Sequence, residues 1–267
     1  MLAPSSAYRP VAPSHTSGLG AGWGGAVRFA IVSTIRVPTQ RQGQTGMGQG
    51  GYTCHEFVQA IGEPVTVALR SRIPLETDLD IVHRDDRWHL VDPSDPGTVI
   101  LEATRWSADY PTTTPVSIEQ AADARGGFPL TAEEHPAPHC LSCGVGDDSL
   151  QVQAGPLGDG RWATPLRLPE WAVVDGAVDM SLVWMAVDCS CGWYIGHSMP
   201  APGQAVTVQF AVDVIAPIEP ETDYALVAWH GDYSPRWDGR KRGAAAALFD
   251  SAGNLVVSSR SFWVSPA

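Results

Sequence analysis

The chain is short of positive charge. Of 267 residues only 17 are lysine or arginine against 29 aspartate and glutamate, and Lys241 is the single lysine. The formal charge of −12 gives a mean field that repels phosphates, which argues against a general nucleic-acid or acidic-membrane binder but leaves room for a local basic patch. The preference for arginine suggests a GC-rich coding bias and a bacterial source more than a function.

Cysteine is scarce as well. Cys54, Cys140, Cys143, Cys189 and Cys191 are too few and too unevenly placed to form the disulfide scaffold of so long a chain, so a reducing compartment is expected. No apolar run is long enough to span a membrane. Residues 1–25 are rich in Pro, Ser, Gly and Ala and lack a charged start followed by an apolar stretch. They read as a flexible leader and not as a signal peptide, which makes a soluble, cytoplasmic protein the expectation. The phosphate-loop pattern G-x-x-x-x-G-K-[ST], a dinucleotide fingerprint after a strand and the G-x-S-x-G elbow are all missing, which removes three common enzyme classes.

What is present is core material: 44% hydrophobic residues and ten tryptophans, enough for one large domain or two of about 130 residues. The longest apolar stretch runs from Val178 to Asp188. Val178, Leu182, Met185 and Cys189 recur at helical spacing, with Trp184 and Val187 on the other side, so a buried helix is expected from about Gly176 to Cys191, with GWYIG as its end. Asp188 is the carboxylate deep in this helix. An unpaired buried carboxylate costs several kcal/mol or is neutralised, so Asp188 must be paired or functional. Asp179 is the competing acid, but at the helix start the helix dipole already favours it.

Around this helix the chain repeats itself. In the first half a strand run, Ala26 to Val37, precedes a glycine-rich loop and a short helix over Tyr52 to Ile61 that ends at Gly62. Strands follow at Val65–Ile73, Leu79–Arg84, Arg87–Asp92 and Thr98–Trp106. In the second half, strand material at Leu150–Ala154 and Arg161–Leu168 precedes the apolar helix. Strands then follow at Ala205–Ala216, Tyr224–Tyr233, Arg242–Asp250 and Asn254–Val264, the last two joined by an Asp-Ser-Ala-Gly-Asn tip. Residues 111–148 form a linker with Pro, Gly and the C-x-x-C pair, and one helix near Ser117–Ala124. The expected architecture is therefore α+β, with units at 26–110 and 149–267. Each would be one helix against a curved antiparallel sheet, the two helices meeting at an interface where pockets form readily.

This order resembles the double-hotdog arrangement of acyl-CoA thioesterases. LVWMAVD (Leu182 to Asp188), VTVQFAVDVIAPIEPETDYAL (Val206 to Leu226) and RGAAAALFDSAGNLVVSSRS (Arg242 to Ser261) are similar to segments of the acyl-CoA thioesterase II family, and Gln49 to Cys54 resembles the glycine-rich helix start of its first unit. HPAPHCLSCG resembles the HPxPxCxxCG stretch of uncharacterised bacterial thioesterase-like proteins. The resemblance implies two tandem hotdog units and a catalytic aspartate at Asp188. It also implies a water-holding hydroxyl at Thr207, and Ser261 where the family has glutamine. A homodimer of such double units is allowed.

Thioester hydrolysis needs an activated water and donors for the oxyanion. Asp188 suits a general base in an apolar setting. The Gly50, Gly51 and Tyr52 amides at a helix N-terminus suit the oxyanion, since glycine lets a ligand approach the backbone. Arg236, Arg240, Lys241 and Arg242 form a basic cluster that could take the phosphates of coenzyme A, or equally serve as a solvated hairpin tip beside Asp232 and Asp238. The expected substrate is an acyl-CoA or carrier-bound acyl thioester, with no cofactor of the protein's own. Two other classes stay open: a non-catalytic acyl binder, and a hotdog dehydratase acting on a polyketide-like intermediate. Cys140 and Cys143 have zinc-knuckle spacing, with His135 and His139 close by and Cys189 and Cys191 as candidate neighbours in space. A second C-x-x-C pair is missing and C-x-C is an unusual ligand spacing, so buried or loop thiols are the default reading and no metal is expected. Cys54 beside His55 lacks the further partner a cysteine nucleophile requires.

Overall fold

The computed structural model describes residues 31–105, 109–198, 205–231 and 240–265. The leader and Arg236 lie outside them. The first unit contains β1 (Ile31–Arg36), α1 (Gly50–Ile61), β2 (Val65–Leu69), β3 (Asp78–Arg84), β4 (Arg87–Asp92) and β5 (Asp95–Arg105). After α2 (Ile118–Arg125) come β6 (Gly155–Pro156), β7 (Trp162–Arg167), β8 (Val173–Val174), β9 (Ala177–Val178) and α3 (Met180–Ser198). The chain closes with β10 (Val206–Val214), β11 (Asp223–His230), β12 (Lys241–Phe249) and β13 (Leu255–Val264).

One antiparallel sheet of 11 strands runs β1-β3-β4-β5-β2-β10-β13-β12-β11-β7-β6. Apart from the two-residue β6 added at the outer edge beside β7, its two halves have the same internal order: β1-β3-β4-β5-β2 in one, β7-β11-β12-β13-β10 in the other. In each half the helix follows the first strand. The duplication seen in the sequence is thus a duplication of topology, and the molecule is two hotdog units in tandem. They join edge to edge where β2 pairs with β10 through Ala68↔Gln209 and Val67↔Phe210.

The apolar stretch is α3, and it is buried on every side. Leu182, Val183, Met185, Ala186, Val187, Cys191 and Ile195 are all in the core, as expected of a helix with no polar face. Asp179 caps its start by accepting the Ser181 amide at 2.9 Å. α1 lies directly against it. A Cβ on Gly51 would stand 2.5 Å from the Trp184 carbonyl oxygen, so glycine is what lets the two helices come this close.

β12 reads KRGAAAALF, with no polar-apolar alternation, because both of its faces are covered. Ala244, Ala246 and Leu248 belong to the main core around α3. Ala247 and Phe249 pack instead with Ala121 and Ala124 of α2 on the other face of the sheet.

Three expectations are corrected. Leu150–Ala154 is not a strand: the Leu150 and Val152 amides bond to Leu141 and Ser142 carbonyls, so this backbone is committed to the cysteine loop and no sheet partner takes it. α3 begins at Met180, not near Gly176, because Asp175 and Gly176 have positive φ and turn the short β8–β9 hairpin. It also continues past GWYIG. Gly192 is helical, and its missing side chain leaves space for the Trp263 ring, which a Cβ would approach to 3.0 Å. The Gly62 cap and the Asp250–Asn254 tip are as expected, with φ of 77° at Gly62 and 80° at Gly253. Among the described residues no helix is long and apolar enough to cross a membrane.

Candidate active site

Three elements converge on the Asp188 carboxylate, which is the ninth residue of α3 and almost wholly buried. β10 supplies Thr207, whose hydroxyl donates to Oδ1 at 2.9 Å. The residue capping α1 supplies the Gln49 side chain, whose Nε2 donates to Oδ2 at 2.8 Å. The first turn of α1 supplies the Gly51 N–H, which donates to the same oxygen at 3.2 Å. Burial pushes the Asp188 pKa up to about 6. The Thr207, Gly51 and Gln49 hydrogen bonds pull it down, and negative charge on Cys140 adds to the rise. The result is a fixed carboxylate, more basic than a surface aspartate.

Asp188 lines a cleft of about 1020 Å³ between the two units. Its lining draws on the loop before α1, on Leu69 to Ile73, and on Trp193, His197, Val206 and Trp263. Apolar and aromatic surface dominates, with Asp188, Gln49 and Thr207 as the convergent polar groups, the usual composition of a small-molecule site.

Of the expected oxyanion donors only part is available. The Gly51 amide is engaged by Asp188, and the Tyr52 amide donates to Gln49 Oε1 at 2.7 Å. Tyr52 is therefore withdrawn: its N–H serves the N-cap of α1. Gly50 lines the cleft at the helix N-terminus, with Asp188 Oδ2 3.3 Å from where a Cβ would stand. Ser261 is also placed elsewhere. Its hydroxyl donates to the Ala244 carbonyl at 3.1 Å and accepts from the Trp263 indole at 2.7 Å, which orients that ring.

The residue that sequence reasoning left without a role is Gln49. It stands in the glycine-rich motif, yet its partner lies 139 positions away. It provides the carboxamide contact that Ser261 does not. Arg240, Lys241 and Arg242 are absent from the cleft lining, whereas Arg70 and Arg72 contribute to it. Cys54 is fully buried and burial pushes its thiol well above the ordinary range, which disqualifies it as a nucleophile.

The corresponding place on the other side of the helix pair has no such chemistry. The ninth residue of α1 is Val58, and α3 opens with Met180 and Ser181 where α1 has Gly50 and Gly51. Asp179, in the position of Gln49, is held by Arg41 at 2.6 Å. Arg41 also lies over the Tyr52 ring, 5.1 Å from its centroid. Among the described residues, only one of these two places holds a buried carboxylate fixed by three donors.

No family model matches the sequence, and no curated protein is significantly similar to it. Solved structures do share its shape. A candidate thioesterase from Novosphingobium aromaticivorans superposes with a TM-score of 0.53 over 88% of this chain and 95% of its own, at 11% identity. A candidate oleoyl thioesterase from Lactobacillus plantarum gives 0.51 over 88% and 96%, at 7% identity. At such identities the likeness is one of fold, and the fold is the double hotdog.

Proposed function

We propose that the protein hydrolyses an acyl thioester carried on coenzyme A or on a carrier arm. The observation that carries this reading is the Asp188 carboxylate, buried at a cleft wall and fixed by Gln49, Gly51 and Thr207. A carboxylate has about four acceptor positions, and these three donors take one on Oδ1 and two on Oδ2. The remaining position on Oδ1 accepts a proton from water. That water attacks the thioester carbonyl, and the Gly50 N–H at the α1 N-terminus meets the oxyanion. Collapse breaks the C–S bond, and the proton held by Asp188 passes to the departing sulfur, leaving acid and thiol. The aromatic and aliphatic walls suit the acyl chain, and Arg70 and Arg72 suit phosphate groups of the carrier.

Thiol release from a panel of acyl-CoAs, with Asp188→Asn beside the wild type, tests this. Asparagine can keep the fixed geometry, its oxygen facing Gln49 and Gly51 and its amide facing Thr207, but it cannot take a proton. A loss of roughly 10²–10⁴ in kcat is expected. Ligand binding without thiol release by either protein, or an unaltered rate in the variant, would sink hydrolysis. Unsaturated product without thiol release would mark a dehydratase.

A further inference from the structure

The five cysteines are not evenly dispersed in space. Cys54 and Cys191 are separate core thiols, but the sulfurs of Cys140, Cys143 and Cys189 lie within 4.8 Å of one another. Cys140 and Cys189 are 3.9 Å apart across 49 positions of sequence. Four ligands on a tetrahedral metal with bonds of about 2.3 Å stand about 3.8 Å from each other, so this triangle is close to the face of such a tetrahedron. A disulfide would explain two of the three sulfurs and would need them at about 2.05 Å.

The loop that presents the first two is held in one shape by its own hydrogen bonds. The Gly144 amide folds back on the Cys140 carbonyl at 2.8 Å, and the Val145 amide reaches the Pro138 carbonyl at 3.2 Å. A Cβ on Gly144 would stand 2.5 Å from the Cys140 carbonyl oxygen, so the Cys-Leu-Ser-Cys-Gly turn closes only around glycine. The Ser149 hydroxyl fixes the Gly144 carbonyl at 2.7 Å. The third sulfur comes from α3. The Gln49 Nε2 that holds Asp188 also points at Cys189 Sγ, 3.7 Å away, the kind of outer contact that orients a ligating thiolate.

We propose that Cys140, Cys143 and Cys189 bind one zinc ion as three thiolates, with the fourth coordination position turned towards the cleft. Soft sulfur donors in tetrahedral array favour zinc among the common divalent ions. No further Cys, His, Asp or Glu among the described residues joins the three within the same radius, His135 and His139 included. All three cysteines line the cleft, which leaves water or a ligand as the fourth donor. The ion would tie the cysteine loop to α3 at the residue next to Asp188.

The test does not depend on hydrolysis. Full-length protein is expressed with zinc supplied, purified under reducing conditions, and assayed for metal by mass spectrometry. One zinc per chain is expected, released when a mercurial titrates the thiols. Cobalt taken up in its place should show a thiolate-to-metal charge-transfer band and the intense visible bands of tetrahedral cobalt. Cys143→Ser and Cys189→Ser should lose stoichiometric metal, while Cys54→Ser and Cys191→Ser, folded by circular dichroism, keep it. A reduced, folded wild type that takes up neither zinc nor cobalt overturns the proposal, and so does metal that survives both ligand substitutions.

Discussion

Gln49 does three things with one side chain. Its oxygen caps α1 at Tyr52, and its nitrogen holds both the acid of α3 and the neighbouring thiol. Gln49→Ala should leave Asp188 buried and less well aimed. The expected outcome is a fall in kcat on the order of 10²-fold with little change in KM, read by steady-state thiol release. Thr207→Val, which keeps shape and deletes the hydroxyl, should act in the same direction. Asp188 was legible as an anomaly, an acid in an apolar helix. Its donors were not, because Gln49 lies 139 positions upstream and nothing local in either segment signals the pairing. Thr207 came from family resemblance, and the same resemblance misdirected Ser261, whose hydroxyl serves the Ala244 carbonyl and the Trp263 ring.

At the scale of elements, the contact between α1 and α3 sets the distance from the Asp188 carboxylate to the N-terminus of α1. Gly51→Ala would press a methyl group onto the Trp184 carbonyl, a backbone atom that cannot swing aside. A destabilisation of about 1–3 kcal/mol is expected from such overpacking, measurable by urea denaturation, together with loss of activity as the helices part. Strand positions were readable from alternation and turn residues, and helix α1 from its glycine cap. The failures have a common origin. Gly192 looked like a helix end when its real reason is the Trp263 ring, and Leu150–Ala154 looked like a strand when its amides belong to the cysteine loop. In both cases the deciding partner is distant in sequence.

For the whole molecule, pH acts on stability through buried histidines. His89 on β4 has its pKa lowered by burial and by the charge of Arg84, against the pull of Glu102. A group that binds its proton less readily when folded makes the unfolded state the better proton acceptor, so its contribution to stability declines as pH falls through about 6.5. Asp188, raised by burial, works in the opposite sense, which is why the comparison must be made within a pair of variants. The gap in urea midpoint between His89→Gln and wild type should shift in favour of the variant between pH 7.5 and 5.5. A gap independent of pH would refute the assignment.

The pairing of β2 with β10 has one more consequence. It joins two halves of like topology within a single polypeptide, so that each can carry its own sequence. In an assembly of identical subunits every substitution enters twice, once at each symmetric place, and must be tolerated at both. Here Val58 can sit opposite Asp188, and Asp179 with Arg41 opposite Gln49, because each half varies alone. The covalent link thus lets one half become the acid's scaffold and the other its donor, a division of labour that a symmetric dimer of single units cannot encode.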